Sequence, residues 1–219
     1  MQERFTKQFY ETYWGRAPFG PPELDPTNPK RLALLLDALA STGARDVLDA
    51  GCGKGHFVKE LVGAGYSVVG VDVSEAALSR ARKANPGCVF HQHPLDLPPW
   101  PFADESFDAV WAGEVVEHLF GVGEFFQEAH RVLRPNGLLI LTTPYHGLLK
   151  NLAIVFWSFD NHFNDFDGGH IRFFTYRLLR RLAGRAGFRS KRCVRIGRVP
   201  PLARTMFVVC EKEGPGPER

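Results

Sequence analysis

The chain has 219 residues, of which 44% are hydrophobic, and a formal net charge of +3. That length suits one domain with a large core, and the composition is that of a globular chain, which excludes fibrous and disordered classes. Residues 1–8 are polar and charged, and no run approaches the roughly 20 apolar residues of a membrane span. Neither a secretory leader nor a transmembrane segment is therefore expected. The four cysteines, Cys52, Cys88, Cys193 and Cys210, are scattered without metal-binding spacing, so a reducing, cytoplasmic location is expected.

Residues 1–26 are rich in aromatic side chains and proline (Phe5, Phe9, Tyr10, Tyr13, Trp14, Phe19, Pro21, Pro22). They are expected to form an aromatic cap, a short helix and loop folded over a ligand. Leu32, Leu35, Leu36 and Leu39 recur at helical spacing and predict a helix over 28–40. Strands are then expected at 46–49, 67–71, 88–90, 107–111 and 138–142, with helices near 55–63, 74–84, 122–133 and 175–186. Such alternation implies parallel βαβ units with helices on both faces of one sheet. After Ala186 two strands, 192–196 and 203–211, follow without a helix between them and predict an antiparallel hairpin at the sheet end. The fold class is therefore α/β, a Rossmann-like, doubly wound, mostly parallel seven-stranded sheet with an antiparallel C-terminal strand. One domain is expected over 27–213, with an inserted lid at 144–170 before the penultimate helix and a disordered tail at 214–219.

The most informative stretch is Val47-Leu48-Asp49-Ala50-Gly51-Cys52-Gly53-Lys54-Gly55. A buried strand ends in an acidic residue and runs into a loop with glycine at alternate positions. Such glycines let backbone N–H groups approach a ligand closely. A phosphate cradle would not want the Asp49 charge, whereas a cationic amino-acid ligand would. The dinucleotide fingerprint G-x-G-x-x-G/A fails because His56 occupies its last position, and the P-loop fails because Lys54 is followed by Gly55. Asp72 closes the next apolar run, twenty-one residues after Gly51, where a carboxylate can accept both hydroxyls of a ribose. Its plainer role is to cap the helix beginning near Ser74. Asp96, after the third strand, is placed to accept the exocyclic amine of an adenine, with Leu97 packing on the ring. Alone it would be an ordinary loop aspartate.

These residues, with Ser106-Phe107-Asp108-Ala109-Val110, Glu114-Val-Val-Glu117-His118-Leu119 and Arg131-Val-Leu-Arg-Pro-Asn-Gly137, lie in order over about 90 residues. As an ordered set they resemble the class I S-adenosylmethionine-dependent methyltransferases of the ubiquinone-biosynthesis type. The resemblance implies S-adenosylmethionine as the cofactor. Gly51, Gly53 and Gly55 would line its methionine moiety, and Asp49 would sit near its ammonium. Asp72 would hold the ribose, and Asp96 and Leu97 the adenine. Val73 and Gly113 complete the expected cofactor-binding set. Tyr13, Trp14 or Arg16 would come within reach of the methionine carboxylate.

On a helix, Glu114, Glu117 and His118 would share one face, at i, i+3 and i+4. His118 is the expected general base, with Glu117 and His170 as further catalytic candidates. Glu114, Glu117, His118 and His170 also resemble a divalent-metal set found in ubiquinone O-methyltransferases and small-RNA 2′-O-methyltransferases; hydrogen bonding within a helix start is the competing explanation. The insertion carries Tyr145, His146, Phe156, Trp157, Phe159, His162, Phe163 and Phe166, fitting an aromatic lid, a core extension or a dimer contact equally. From Arg172 to Arg198 there are ten Lys/Arg and no acidic residue, a stretch suited to RNA phosphates or to pairing with acidic residues folded nearby. The leading expectation is methyl transfer to an oxygen of a small or lipid-like acceptor by a monomer or homodimer. The alternatives are an RNA 2′-O-methyltransferase and a cofactor-binding subunit without turnover.

Overall fold

The computed structural model describes residues 8, 10–12, 25–157, 171–199 and 202–214. A seven-stranded sheet is wound in the order β3-β2-β1-β4-β5-β7-β6. The strands are β1 (Asp46–Ala50), β2 (Ser67–Asp72), β3 (Val89–Gln92), β4 (Phe107–Gly113), β5 (Leu133–Pro144), β6 (Phe188–Ile196) and β7 (Thr205–Lys212). The first five are parallel, and β7 inserts antiparallel between β5 and β6. The expected hairpin is thus present. It places the last strand inside the sheet and leaves β6 at the edge.

Six helices are named among the described residues: α1 (Asn28–Ala40), α2 (His56–Gly63), α3 (Glu75–Ala84), α4 (Val122–Val132), α5 (Leu148–Trp157) and α6 (Tyr176–Arg185). Their starts follow from sequence. Ser74 Oγ accepts from Ala77 N at the head of α3, and Thr175 Oγ1 accepts from Leu178 N at the head of α6. Helix α1 has Pro29 in its first turn, where the ring's missing N–H costs nothing. The insertion stands before α6, after which the chain turns at Gly187 into β6.

Alternation along β1 divides the core in two. Val47 packs with Leu35, Val58 and Leu78 of α1, α2 and α3 on one face. Leu48 packs on the other face with Phe125 and Phe126 of α4 and Leu179 of α6. Both layers are fully buried, as a doubly wound sheet requires. Strand order reverses between β1 and β4, which opens the crevice where ligands bind in such folds. Two strands exceed their expected bounds. In β5, Leu133 pairs with Phe107 across a bulge, and the polar Arg134–Gly137 stretch of the strand hides this from an apolar count. In β6, the exposed edge residues before Arg192 pair with β7 but form no apolar run. No helix among the described residues is long and apolar enough to cross a membrane.

Candidate functional site

The loop after β1 turns on glycines at 51, 53 and 55, with φ of +83°, +50° and +77°, backbone that favours residues without a Cβ. Gly51 N and Cys52 N both donate to Val71 O, at 2.8 and 3.0 Å, tying the loop to β2. Gly53 N donates to Asp72 Oδ2 and Ser74 N to Asp72 Oδ1, each at 2.9 Å. Asp72 is thereby fixed at the rim, and each oxygen keeps a lone pair for a further donor. Burial raises its pKa against these N–H bonds.

Asp49 is almost wholly buried, and its Oδ2 has no hydrogen-bond partner among the described residues. Burial, and then the nearby Asp72, push its pKa up to about 8. An orphaned carboxyl beside a glycine loop suits a ligand that brings its own cation. Asp96 is also buried, its Oδ2 accepting from Phe120 N at 3.2 Å, and Leu97 and Val73 stand beside Asp96 and Asp72 in the chain. Gly113 closes β4, where a Cβ would meet the Trp111 ring at 2.8 Å. The structure brings together the carboxyl-terminal ends of β1, β2 and β4, where Asp49, Asp72 and Gly113 lie.

The Glu114–His118 segment departs from expectation. Glu114 has φ of +55°, and only Val116–His118 form a turn of 3-10 helix. The acidic residues therefore do not share a helical face. Glu114 Oε1 takes a 3.0 Å ion pair from Arg31 and a 2.7 Å hydrogen bond from the Thr205 hydroxyl. Glu117 turns into the protein, fully buried, with neither carboxyl oxygen hydrogen-bonded among the described residues. Burial, then the neighbouring Glu114, push its pKa well up. His118 keeps its side chain 19% exposed, its Nε2 lies 4.0 Å from Glu117 Oε1, and Tyr10 packs edge-on to its ring. The expected metal set finds no support in this geometry. One carboxylate is paired with Arg31, the other is buried with its pKa pushed up, and no group of three or more potential ligands occurs among the described residues. His170 lies outside the described residues, as do Tyr13, Trp14, Arg16, residues 158–170 of the expected lid and residues 215–219 of the expected tail.

Contacts that no sequence pattern signalled hold this region together. Glu117 O accepts from Ile171 N and Arg172 N, and Arg172 donates to Leu119 O and Phe120 O. Tyr145 and Phe174 form a parallel bridge. Both ends of the insertion are thus fastened beside His118. Arg31, buried in α1, was visible only as a charge inside an apolar helix. The basic stretch is partly spent: Arg189 and Lys191 pair with Glu211, and Arg192 with Asp37.

Residues 48–141 match the methyltransferase domain family. The chain is 30% identical to the ubiquinone biosynthesis O-methyltransferase of Sinorhizobium medicae, over 73% of this chain and 68% of that protein. It belongs to the class I S-adenosylmethionine-dependent methyltransferases. It is also 37% identical to the malonyl-[acyl-carrier protein] O-methyltransferase of Legionella pneumophila, over 58% of this chain and 46% of that one. The first curated relatives are matched over 36–46% of their length, so the chain spans less than half of them. The 1,6-didemethyltoxoflavin-N1-methyltransferase of Burkholderia thailandensis superposes with a TM-score of 0.70 at 18% identity, covering 96% of this chain and 88% of that one, a likeness of fold. S-adenosylmethionine is the cofactor of this family, and the orphaned Asp49 carboxyl, the glycine loop and the fixed Asp72 carboxylate suit its cationic, ribose-bearing chemistry.

Proposed function

We propose that this methyltransferase acts on an oxygen of a small or lipid-like acceptor, with His118 receiving the acceptor's proton. The observation that carries the reading is the placement of His118. It follows β4 at the switch point, its ring partly exposed, with the buried Glu117 carboxyl 4.0 Å behind it. An imidazole there can take a proton near neutral pH. Two relatives are named O-methyltransferases, which supports oxygen as the acceptor atom.

The cofactor supplies, when bound, a methyl group on a sulfonium already activated toward a nucleophile. The chain's own groups bind and orient. Asp49 meets the ammonium, Asp72 the ribose hydroxyls, Asp96 and Leu97 the adenine, and Gly51, Gly53, Gly55, Val73 and Gly113 leave room for backbone contact. His118 Nε2 takes the hydroxyl proton as the acceptor oxygen becomes nucleophilic, and Glu117 orients the ring.

Calorimetry with S-adenosylhomocysteine is expected to give equal affinity for wild type and His118→Ala. Transfer of labelled methyl to a panel of phenols and alcohols is expected to fall by about a hundredfold or more in the variant. Full turnover by His118→Ala, or methylation confined to amine acceptors, would overturn the reading.

A further inference from the structure

The edge-strand members of the Arg172–Arg198 stretch have acidic partners, but those on helix α6 do not. Arg177, Arg180, Arg181 and Arg185 are all exposed, and none has an ion pair among the described residues. At about 100° per residue they fall in one arc about 140° wide. Leu179 and Ala183, on the opposite side, are buried in the core. The helix itself has no acidic residue. On the neighbouring α4, Glu128 is held by Arg131, and Glu124 Oε2 lies against Gly121 beside Asp96 O. Like charges at i, i+3 and i+4 destabilise a helix unless an anion lies across them.

The head of this arginine stripe meets the rim that carries His118. Ile171 N and Arg172 N donate to Glu117 O, and the Arg172 guanidinium donates to Leu119 O and Phe120 O. Phe120 and Phe173 are thereby brought together beside Arg172, and they stay 40% and 45% exposed. Charge and rings together select the occupant. Arginine forks match phosphate oxygens in pairs. Arg177, Arg181 and Arg185 stand about 6 Å apart along the helix axis and span about 12 Å, which covers roughly three to four phosphates of one strand. Exposed rings at the end of a cationic track give unpaired bases a surface to stack on. An acidic polypeptide would use the guanidiniums and leave the rings idle. A duplex keeps its bases stacked inside and would do the same. A single strand uses both.

We propose that the α6 arginines, with Phe120 and Phe173 at their head, form a binding surface for single-stranded nucleic acid. The proposal does not rest on the acceptor reading, and its test needs neither cofactor nor acceptor, so the two fail separately. Binding of the full chain to labelled oligouridylate is followed by fluorescence anisotropy, beside the same strand paired with oligoadenylate and with polyglutamate as competitor. The single strand is expected to bind about tenfold tighter than the duplex. Its affinity should fall with salt at a log–log slope of about −2 to −3, as for three to four phosphates. Arg177→Gln/Arg181→Gln is expected to weaken binding about tenfold or more and to make the slope shallower by about 1. Phe120→Leu/Phe173→Leu is expected to weaken binding about tenfold with the slope unchanged. All four side chains are exposed, so melting temperature and S-adenosylhomocysteine affinity should stay at wild-type values and report an intact fold. No binding of the single strand, a slope near zero, equal affinity for the duplex, or full binding by either double variant would each overturn the proposal. So would displacement of the strand by polyglutamate at matched charge, which would assign the stripe to an acidic polypeptide.

Discussion

The two rims of the sheet use the same residue types in opposite ways. At the amino-terminal rim, carboxylates are paired. Asp108 accepts from the backbone N–H of Arg45 and Asp46 and from Arg134, at 2.7–2.9 Å. These donors hold its pKa below the usual range although burial pushes the other way. Glu128 is gripped by Arg131 Nε and a terminal nitrogen, and also caps Trp100 N; the Arg131 hydrogen bond leads in lowering its pKa. At the carboxyl-terminal rim, Asp49 Oδ2 and the Glu117 carboxyl have no hydrogen-bond partner among the described residues, and burial raises both pKa values. One rim pairs its carboxylates, and the other keeps buried carboxyl oxygens without a hydrogen-bond partner among the described residues. Stability thus resides where charges are satisfied, and binding where they are not.

The sharpest break of this contrast is Asp72→Ala. It is expected to weaken S-adenosylhomocysteine binding by about a hundredfold, the loss of charge-assisted hydrogen bonds worth about 3 kcal/mol. Calorimetry checks this, and unchanged affinity would remove the ribose assignment. At the other rim, Arg131→Met is expected to cost about 2 kcal/mol of folding stability and leave affinity unchanged. Urea unfolding measures it. Because the folded-state pKa of Glu128 is depressed, the wild-type advantage is present above the unfolded carboxyl value and fades as pH falls through the folded one.

The contrast also explains what could be read from sequence. The central strands were legible because each is buried on both faces and appears as an unbroken apolar run. The starts of β5 and β6 were not, since polar residues separate Leu133 and Phe188 from the apolar run of each strand. Asp49, Asp72 and Gly51–Gly55 were legible because they follow one another along consecutive strands at fixed spacing. The conformation of Glu114–His118 was misjudged because spacing alone predicted a helix. What decides their conformation is remote in sequence: Arg31 and Thr205 hold Glu114, and Ile171 and Arg172 hold Glu117 O. The motif residues Asp108, Arg131 and Arg134 carried the resemblance, yet their work is structural, which only their partners reveal.

A milder effect lies in pH. The Asp49 carboxyl, held near 8, is mostly protonated at pH 7 in the free protein. Its pKa is raised, so the stability it contributes is whole below the unfolded value and is lost as pH rises toward 8. Binding a cation requires it ionised. Affinity is therefore expected to rise by up to about tenfold per pH unit below 8, and to turn over as the ligand's α-amino group, with a pKa of about 7.8, loses its charge. Asp49→Asn should flatten the rising limb and stabilise the free protein at pH 8. A rising limb that survives in Asp49→Asn would place the titrating group elsewhere.

The smallest expected change concerns the link between the rim and the chain's beginning. Glu11 Oε1 accepts from Glu75 N at 2.7 Å, and its Oε2 accepts from Ser74 Oγ and Ala76 N at 3.2 and 3.1 Å. This is the amino-terminal end of α3, where a negative charge is favoured. The adjacent Tyr10 ring lies edge-on to His118, 6.1 Å between centroids. One helical turn thus reaches from the Asp72 side of the crevice to His118. Glu11→Gln keeps an acceptor but removes the charge, a loss of about 0.5–1 kcal/mol. If this turn covers the bound cofactor, S-adenosylhomocysteine should dissociate about two- to fivefold faster in stopped-flow, with global unfolding little changed. Wild-type dissociation rates in both Glu11→Gln and Glu11→Ala would show that the ligand leaves without this contact opening.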